Sequence, residues 1–228
     1  VKGTKTTRSV TISQSKSHSL VMATNGIDLA TSHSFYNAFA NVIAEDKNGM
    51  QIDGESTSAR HFTDLMNPTE LGKKSGENAI SRLSPDLPDT GEYTIILDQG
   101  AAQSFFASVF QAIDGTVIYQ GASFLKDKLG QKVMSDDITI IDKPHIKKGI
   151  RSRDVDTAGV EAKEITFVKN GVLKAFNVTL SEARKLGIDP IGRENGRTNT
   201  SVVSGSKSPE DLMSDVKDGI LVKGFNGG

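Results

Sequence analysis

"AKEITFVKNGVLKAFNVT", Ala162 to Thr179, reads as two short apolar runs broken by Asn170-Gly171. Asn and Gly tolerate the positive backbone φ that a two-residue hairpin turn demands, so the segment predicts two antiparallel strands. The same device recurs earlier in the chain. "SLVMATNGIDLATS" puts Asn25-Gly26 between apolar runs, and "FYNAFANVIAEDKNGMQIDGES" does so with Asn48-Gly49. "RSVTIS" alternates Val10 and Ile12 with polar neighbours, the period-two mark of a half-buried strand. Hairpins dominate, and strands do not alternate regularly with helices. The pattern indicates an α+β fold, with antiparallel sheets built from hairpins and with packed helices, rather than a doubly wound one.

Helices are marked by their ends. Asn67-Pro68-Thr69-Glu70 opens one: Asn67 caps, Pro68 takes the first position, and Glu70 reaches back as in a capping box. Leu71, Ala79, Ile80 and Leu83 give it an apolar side. "SPDLPDTGE" (Ser84–Glu92) is rich in Pro, Asp and Gly and predicts a boundary between a domain at 1–88 and another at 89–228. "YTIILD" (Tyr93–Asp98) reads as a buried strand. A buried amphipathic helix is expected over Ala101–Ile113, where Ala102, Phe105, Phe106, Val109, Phe110 and Ile113 form a wide stripe. It runs into an Asp114-Gly115 turn and a short apolar run. "DDITIID" (Asp136–Asp142) predicts a strand stopped by Pro144. Ser181 is the expected cap of a short helix that Gly187 ends. "GRENGRTN" (Gly192–Asn199) reads as a polar loop, Ser208 as the cap of a last helix, and "GILVKGF" as a final strand.

Composition narrows the function. The 228 residues carry 27 basic and 28 acidic side chains, a net charge of −1, without the clustered basic surplus of nucleic-acid binders. No cysteine is present, which excludes disulfides, thiolate metal sites and cysteine nucleophiles within the chain and suits a reducing cytoplasm. There is no secretory signal and no apolar run near eighteen residues, as a span would need. The sequence opens on Val1 and stops at "GFNGG", which reads as an interior piece of a longer polypeptide. The two sequons, at Asn177 and Asn199, read as chance occurrences.

No constellation of the usual catalytic kind stands out. His18, His33, His61 and His145 are scattered, with no two within five residues, so no pair shares a helical turn. "RDVDTAG" (Arg153–Gly159) begins like a calcium loop but has Ala158 at the fifth position and Ile165 at the twelfth; it reads as a tight polar turn. "SGSKS" (Ser204–Ser208) lacks the Gly-Lys of a phosphate loop.

Four longer stretches resemble one family in the same order. They are "NGIDLATSHSFYNAFANVIAEDKNGMQIDGES" (Asn25–Ser56), "IDGTVIYQGASFLKDKLGQKV" (Ile113–Val133), "DITIIDKPHIKKGIRSRDVDTAGV" (Asp137–Val160) and "VKNGVLKAFNVTLSEARKLGIDPIG" (Val168–Gly192). Together they resemble the TldD/PmbA family, once labelled modulators of DNA gyrase, and "VIYQGASFLKDKLG" is similar to its PmbA (TldE) branch. One departure is Ala158, where the family turn usually carries Glu. The resemblance implies a paired, cytoplasmic metallopeptidase acting on unfolded and leader-bearing peptides. Its TldD branch places H-E-x-x-x-H on a helix just before the Gly turn. Those positions fall here on Phe106, Ala107 and Gln111. A ring and a methyl offer no metal ligand or proton acceptor, and one carboxamide is a poor ligand. The resemblance therefore implies a subunit without catalytic or metal-binding residues of its own. Zinc or a similar divalent metal is then expected in a TldD-like partner, as a heterodimer, with a homodimer as the other pairing. Hairpin edges would hold extended peptide by backbone hydrogen bonds. Tyr119, Ser123, Arg151 and Arg197 lie in or beside the family-like loops and are the candidate peptide or partner contacts. Two alternatives stay open: an autonomous metal-dependent hydrolase that gathers the scattered histidines with carboxylates, and a gyrase- or DNA-associated modulator.

Overall fold

The computed structural model describes residues 1–24, 26–84, 87–203 and 205–225. Asn25 of the first expected turn, Pro85 and Asp86 of the expected boundary, Ser204, and residues 226–228 lie outside the described residues. The chain divides into two compact units, Val1–Asp89 with Lys148–Ile150, and Thr90–Lys147 with Arg151–Gly228.

The first unit is a three-stranded antiparallel sheet in the order β1-β2-β3, formed by β1 (Thr4–Met22), β2 (Asp28–Asp46) and β3 (Gly49–Ala59). The Asn48-Gly49 turn forms as its residues dictate: Gly49 takes φ 140° and Asp46 Oδ1 accepts from the Asn48 and Gly49 amides. Helix α1 (Pro68–Ile80) packs over β2 and β3; it buries Leu71 and Ala79, and Ala79 clusters with Val42 and Ala44. Its cap is Asn67, whose side chain accepts from the Thr69 amide. Glu70 does not complete the expected capping box; it pairs with Lys74 one turn on, at 3.1 Å.

Two features of the sheet differ from expectation. The strand read over "RSVTIS" is nineteen residues long, and its apolar residues are not half-buried: Val10 and Ile12 are 68% and 63% exposed. Alternation shows which residues share a face, but not whether anything covers that face. Second, β3 pairs β2 only from Tyr36 to Asp46. Beyond that point Ser15–Met22 and Asp28–Phe35 continue as a two-stranded ribbon.

The second unit contains a four-stranded antiparallel sheet in the order β7-β6-β5-β8 and a two-stranded parallel pair. The sheet comprises β5 (Ile140–Lys143), β6 (Ile165–Lys169), β7 (Val172–Leu173) and β8 (Asn199–Val202); the pair comprises β4 (Thr94–Leu97) and β9 (Gly219–Val222). The opening hairpin is β6–β7, with Asn170 at φ 48° and Gly171 at φ 75°. The core lies between this sheet and helices α2 (Gln99–Ala112), α3 (Gly115–Tyr119) and α4 (Leu180–Leu186). Phe167, Val168, Leu173, Ile140, Ile113, Ile118 and Val178 are each within 2% of full burial, where a large aliphatic or aromatic side chain contributes roughly 1.5–3 kcal/mol. A last helix, α5 (Pro209–Ser214), is capped by Ser208, reciprocated by Asp211.

Several local expectations are corrected. The residues after Asp114 form helix α3, not an extended run, because Asp114 accepts from the Thr116 amide and caps it. Helix α4 is capped by Thr179, not Ser181: Thr179 and Glu182 bond each other's backbone reciprocally, and Gly187 ends the helix at φ 67°. Strand β4 is not buried; Thr94 and Ile95 are exposed and its described pairing is the parallel one with β9. The polar reading of Gly192–Asn199 missed a fully buried Arg193 and the start of β8.

Candidate functional site

Helix α2 carries the positions on which the family reading turns. Asp98 caps it by accepting from the Ala101 amide, and Ala101 and Ala112 are its buried residues. The wide buried stripe is narrower than expected. Phe106, Val109 and Phe110 pack partly on the core, whereas Phe105 is 52% exposed and meets Phe106 edge-on at 5.5 Å. Ala107 and Gln111 are exposed. The three degenerate positions therefore offer a half-buried ring, a methyl and one solvated carboxamide.

This donor set does not fit a divalent metal or a general base. Among the described residues no group of three or more His, Cys, Asp and Glu side chains comes together to hold a metal ion. His18 and His33 sit near each other in the β1–β2 ladder, but His18 faces Ser32 and Ser17 faces His33, so their side chains project from opposite faces.

Arg197, which meets α2 at Phe110, also feels the charge of a buried polar centre that sequence reasoning missed. Asp142 on β5 is fully buried. Its Oδ2 meets Arg193 Nη2 at 2.7 Å and accepts from the Thr198 amide and hydroxyl at 3.1 and 2.8 Å; its Oδ1 accepts from Thr200 Oγ1 at 2.7 Å. The Arg193 guanidinium, also fully buried, donates to the carbonyls of Ile191, Gly192 and Lys163. Asp156, 3% exposed, accepts from the amides of Ala158, Val160 and Glu194. The calcium-like turn thus uses this carboxylate to organise backbone. Desolvation pushes the Arg153, Arg193 and Arg197 guanidinium groups below their ordinary range; Asp142 opposes that for all three. Arg151 adds to the depression of Arg153 and Arg197, while Asp156 joins Asp142 in opposing it for Arg153 and Arg193. The only sequence signal was the charge-dense pair "RSRD" and "GRENGR", which reads equally well as solvated loop.

The four candidate contacts are disposed unequally around α2. The Arg197 guanidinium stacks on the Phe110 ring at 3.5 Å, half-buried. Ser123 is engaged in the fold: its hydroxyl donates to the Ala112 carbonyl at 2.6 Å and accepts from the Leu125 amide at 3.0 Å. Arg151 is exposed beside Arg197, with its amide bonded to Asn199 Oδ1. Tyr119, 52% exposed at the end of α3, lies under the Lys185 ammonium at 5.0 Å. Arg197 and Ser123 are thus brought against the C-terminal half of α2, and Arg151 lies near Arg197. Chemically, the arrangement supplies guanidinium donors for carbonyl or carboxylate oxygens, not a nucleophile or a proton acceptor.

Comparison with known proteins defines the class first. Residues 2–83 match the PmbA/TldA metallopeptidase central domain and residues 90–228 match the PmbA/TldA metallopeptidase C-terminal domain, so both halves are metallopeptidase-type domains. The chain belongs to the PmbA/TldD family. It is 34% identical over 187 residues to a metalloprotease PmbA homolog of Buchnera aphidicola, an overlap covering 82% of this chain and 42% of that protein. A solved structure from Bacteroides thetaiotaomicron, named as a candidate modulator of DNA gyrase, superposes with a TM-score of 0.83 at 28% identity over 90% of this chain and 46% of that one. TldE from Thermococcus kodakarensis shares the fold, with a TM-score of 0.78 at 20% identity over 95% of this chain and 51% of that one. The chain thus spans about half the length or less of the proteins it matches. Among the described residues no helix is long and apolar enough to cross a membrane.

Proposed function

We propose that this chain is the non-catalytic, PmbA/TldE-like subunit of a two-component metallopeptidase, which processes or degrades unfolded and leader-bearing peptides in the cytoplasm. The observation that carries this reading is the donor chemistry of α2. Phe106 turns partly into the core, and Ala107 and Gln111 present a methyl and a carboxamide to solvent. A TldD-like partner, in a heterodimer, supplies the metal, base and water. This chain supplies fold and binding surface. Phe110 with Arg197, and Ser123 with Ala112, lock the C-terminal half of α2 in place. Arg151 and Tyr119 remain at the surface as contacts for peptide or partner.

The test is reconstitution. The full-length protein is purified alone and with a TldD-like partner, and each preparation is assayed on an unfolded peptide with elemental analysis for zinc. The expected outcome is no stoichiometric zinc and no cleavage from this chain alone, and chelator-sensitive cleavage once the partner is present. Stoichiometric zinc with chelator-sensitive cleavage by this chain alone would instead favour the autonomous hydrolase. The name carried by the Bacteroides structure gives the DNA-associated reading its support; salt-sensitive DNA binding by the purified chain is its requirement.

A further inference from the structure

We propose that the Arg197 guanidinium, with Arg151 near it, binds a carboxylate group of a peptide. Arg197 is oriented before any ligand arrives. Its guanidinium lies over the Phe110 ring at 3.5 Å, so the ring covers one face and the side chain is half-buried. Among the described residues nothing hydrogen-bonds or ion-pairs with its N–H edge. Arg151 is fixed nearby through its backbone. Its amide donates to Asn199 Oδ1 at 3.1 Å, two residues after Arg197. The Asn199 amide nitrogen donates in turn to the Lys143 carbonyl at 2.8 Å and to Ser152 Oγ at 2.9 Å. One side chain thus pins residues 151–152 to the start of β8. The Arg151 side chain itself stays exposed, with no hydrogen bond or ion pair among the described residues.

Local acids do not answer these two cations. Asp142 is the carboxylate that acts on Arg197, but both its oxygens are already engaged. Its Oδ2 takes Arg193 and both Thr198 donors, and its Oδ1 takes Thr200. Desolvation and the like charge of Arg151 both work against the charged form of Arg197. Two like charges without a counter-ion, one of them half out of water, are an unfavourable arrangement that an incoming anion relieves. A guanidinium with one face covered offers its edge, where two parallel N–H groups match the two oxygens of a carboxylate. This rests on the reading of the chain as a peptide-handling subunit, since a peptide brings that group at its C-terminus and on Asp and Glu side chains.

The probes are peptides of one uncharged sequence, each carrying a neutral dye on its N-terminus. One has a free C-terminus and no acid, one is amidated with a central Glu, one is amidated with a central phosphoserine, and one is amidated with no acid. Anisotropy titrations use the full-length protein without its partner. At least one carboxylate peptide is expected to bind roughly tenfold more tightly than the acid-free one, the size of one hydrogen bond to a charged group. Which of the two does so identifies the source as terminus or side chain. Arg151→Glu, an exposed substitution, should abolish that advantage and leave the acid-free peptide unmoved. Arg197→Lys, which keeps the charge but not the fork, should remove most of it. Unchanged circular dichroism confirms that each variant is folded. The proposal is overturned by any of four results: no peptide binds, the acid-free peptide binds as tightly as both carboxylate peptides, neither substitution changes the ratio, or the phosphoserine peptide binds more tightly than both. These outcomes are separable from the reconstitution assay. Partner-dependent cleavage with no carboxylate preference in binding would keep the subunit reading and dismiss this one.

Discussion

Replacing Asp142 with Asn is expected to destabilise the second unit by about 3 kcal/mol. Asp142 and Arg193 have side chains with no exposed surface, so solvent screening does not discount their attraction. Taking the anion from such a pair leaves a buried cation without a counter-charge, which costs about 3–5 kcal/mol. The lower end applies here. The amide keeps the shape of the carboxylate, and its oxygen still accepts from Thr198, while Arg193 keeps its three carbonyl partners. Asp142→Ala also strands the Thr198 amide and the Thr198 and Thr200 hydroxyls, each about 1 kcal/mol or more when left unsatisfied, so it moves to the upper end. The double substitution Asp142→Leu with Arg193→Met removes both charges and should cost less than the two singles summed. The assay is urea denaturation followed by far-UV circular dichroism, with hydrogen exchange placing the loss at β5 and β8. If Asp142→Asn lies within about 1 kcal/mol of the parent, or the two singles simply add, then this ion pair does not hold the centre together.

Gly171→Ala should destabilise the β6–β7 hairpin by at least about 2 kcal/mol, because it combines a left-handed φ with overlap between the new Cβ and the Met134 carbonyl oxygen; denaturant midpoints read this directly. Arg197→Ala should cost about 1 kcal/mol through loss of the stack on Phe110, and Arg197→Lys should recover only part of it, because an ammonium has no planar face. For Glu182, partial desolvation raises the pKa, but bonds from Thr116 and Thr179 outweigh it and hold the carboxyl below its ordinary 4.5. Its stabilisation is therefore complete above about pH 4.5 and is lost as pH falls through the lowered folded value. Glu182→Gln should flatten that acid limb in a plot of Tm against pH.

The hairpins were legible because their signal is local. Asn170-Gly171 needs nothing beyond its own backbone preferences, and the structure puts both residues at positive φ. Caps were legible to within a residue or two: Asn67 and Ser208 cap as read, but Thr179 displaced Ser181 because Glu182 stands three residues after it and reciprocates. What failed was non-local. The parallel pairing of β4 with β9 joins segments far apart in the chain, and nothing within either predicts the other. The apolar stripe on α2 promised more burial than Phe105 received, since periodicity says which residues share a face and not how much of it is covered. In the site, the significance of Phe106, Ala107 and Gln111 came from the family resemblance; their own types suggest only a helix. Arg193 was not legible at all. A charged residue between glycines reads as solvated loop, and its burial depends on Asp142, fifty-one positions earlier.

The β4–β9 pair has a consequence for synthesis on the ribosome. Leu97 leaves the exit tunnel well before Gly219, with about 120 residues of translation between them. At roughly 5–20 residues per second, β4 waits on the order of 6–25 s for its parallel mate. Throughout that interval a nascent-chain chaperone has an unpaired, partly apolar strand to hold.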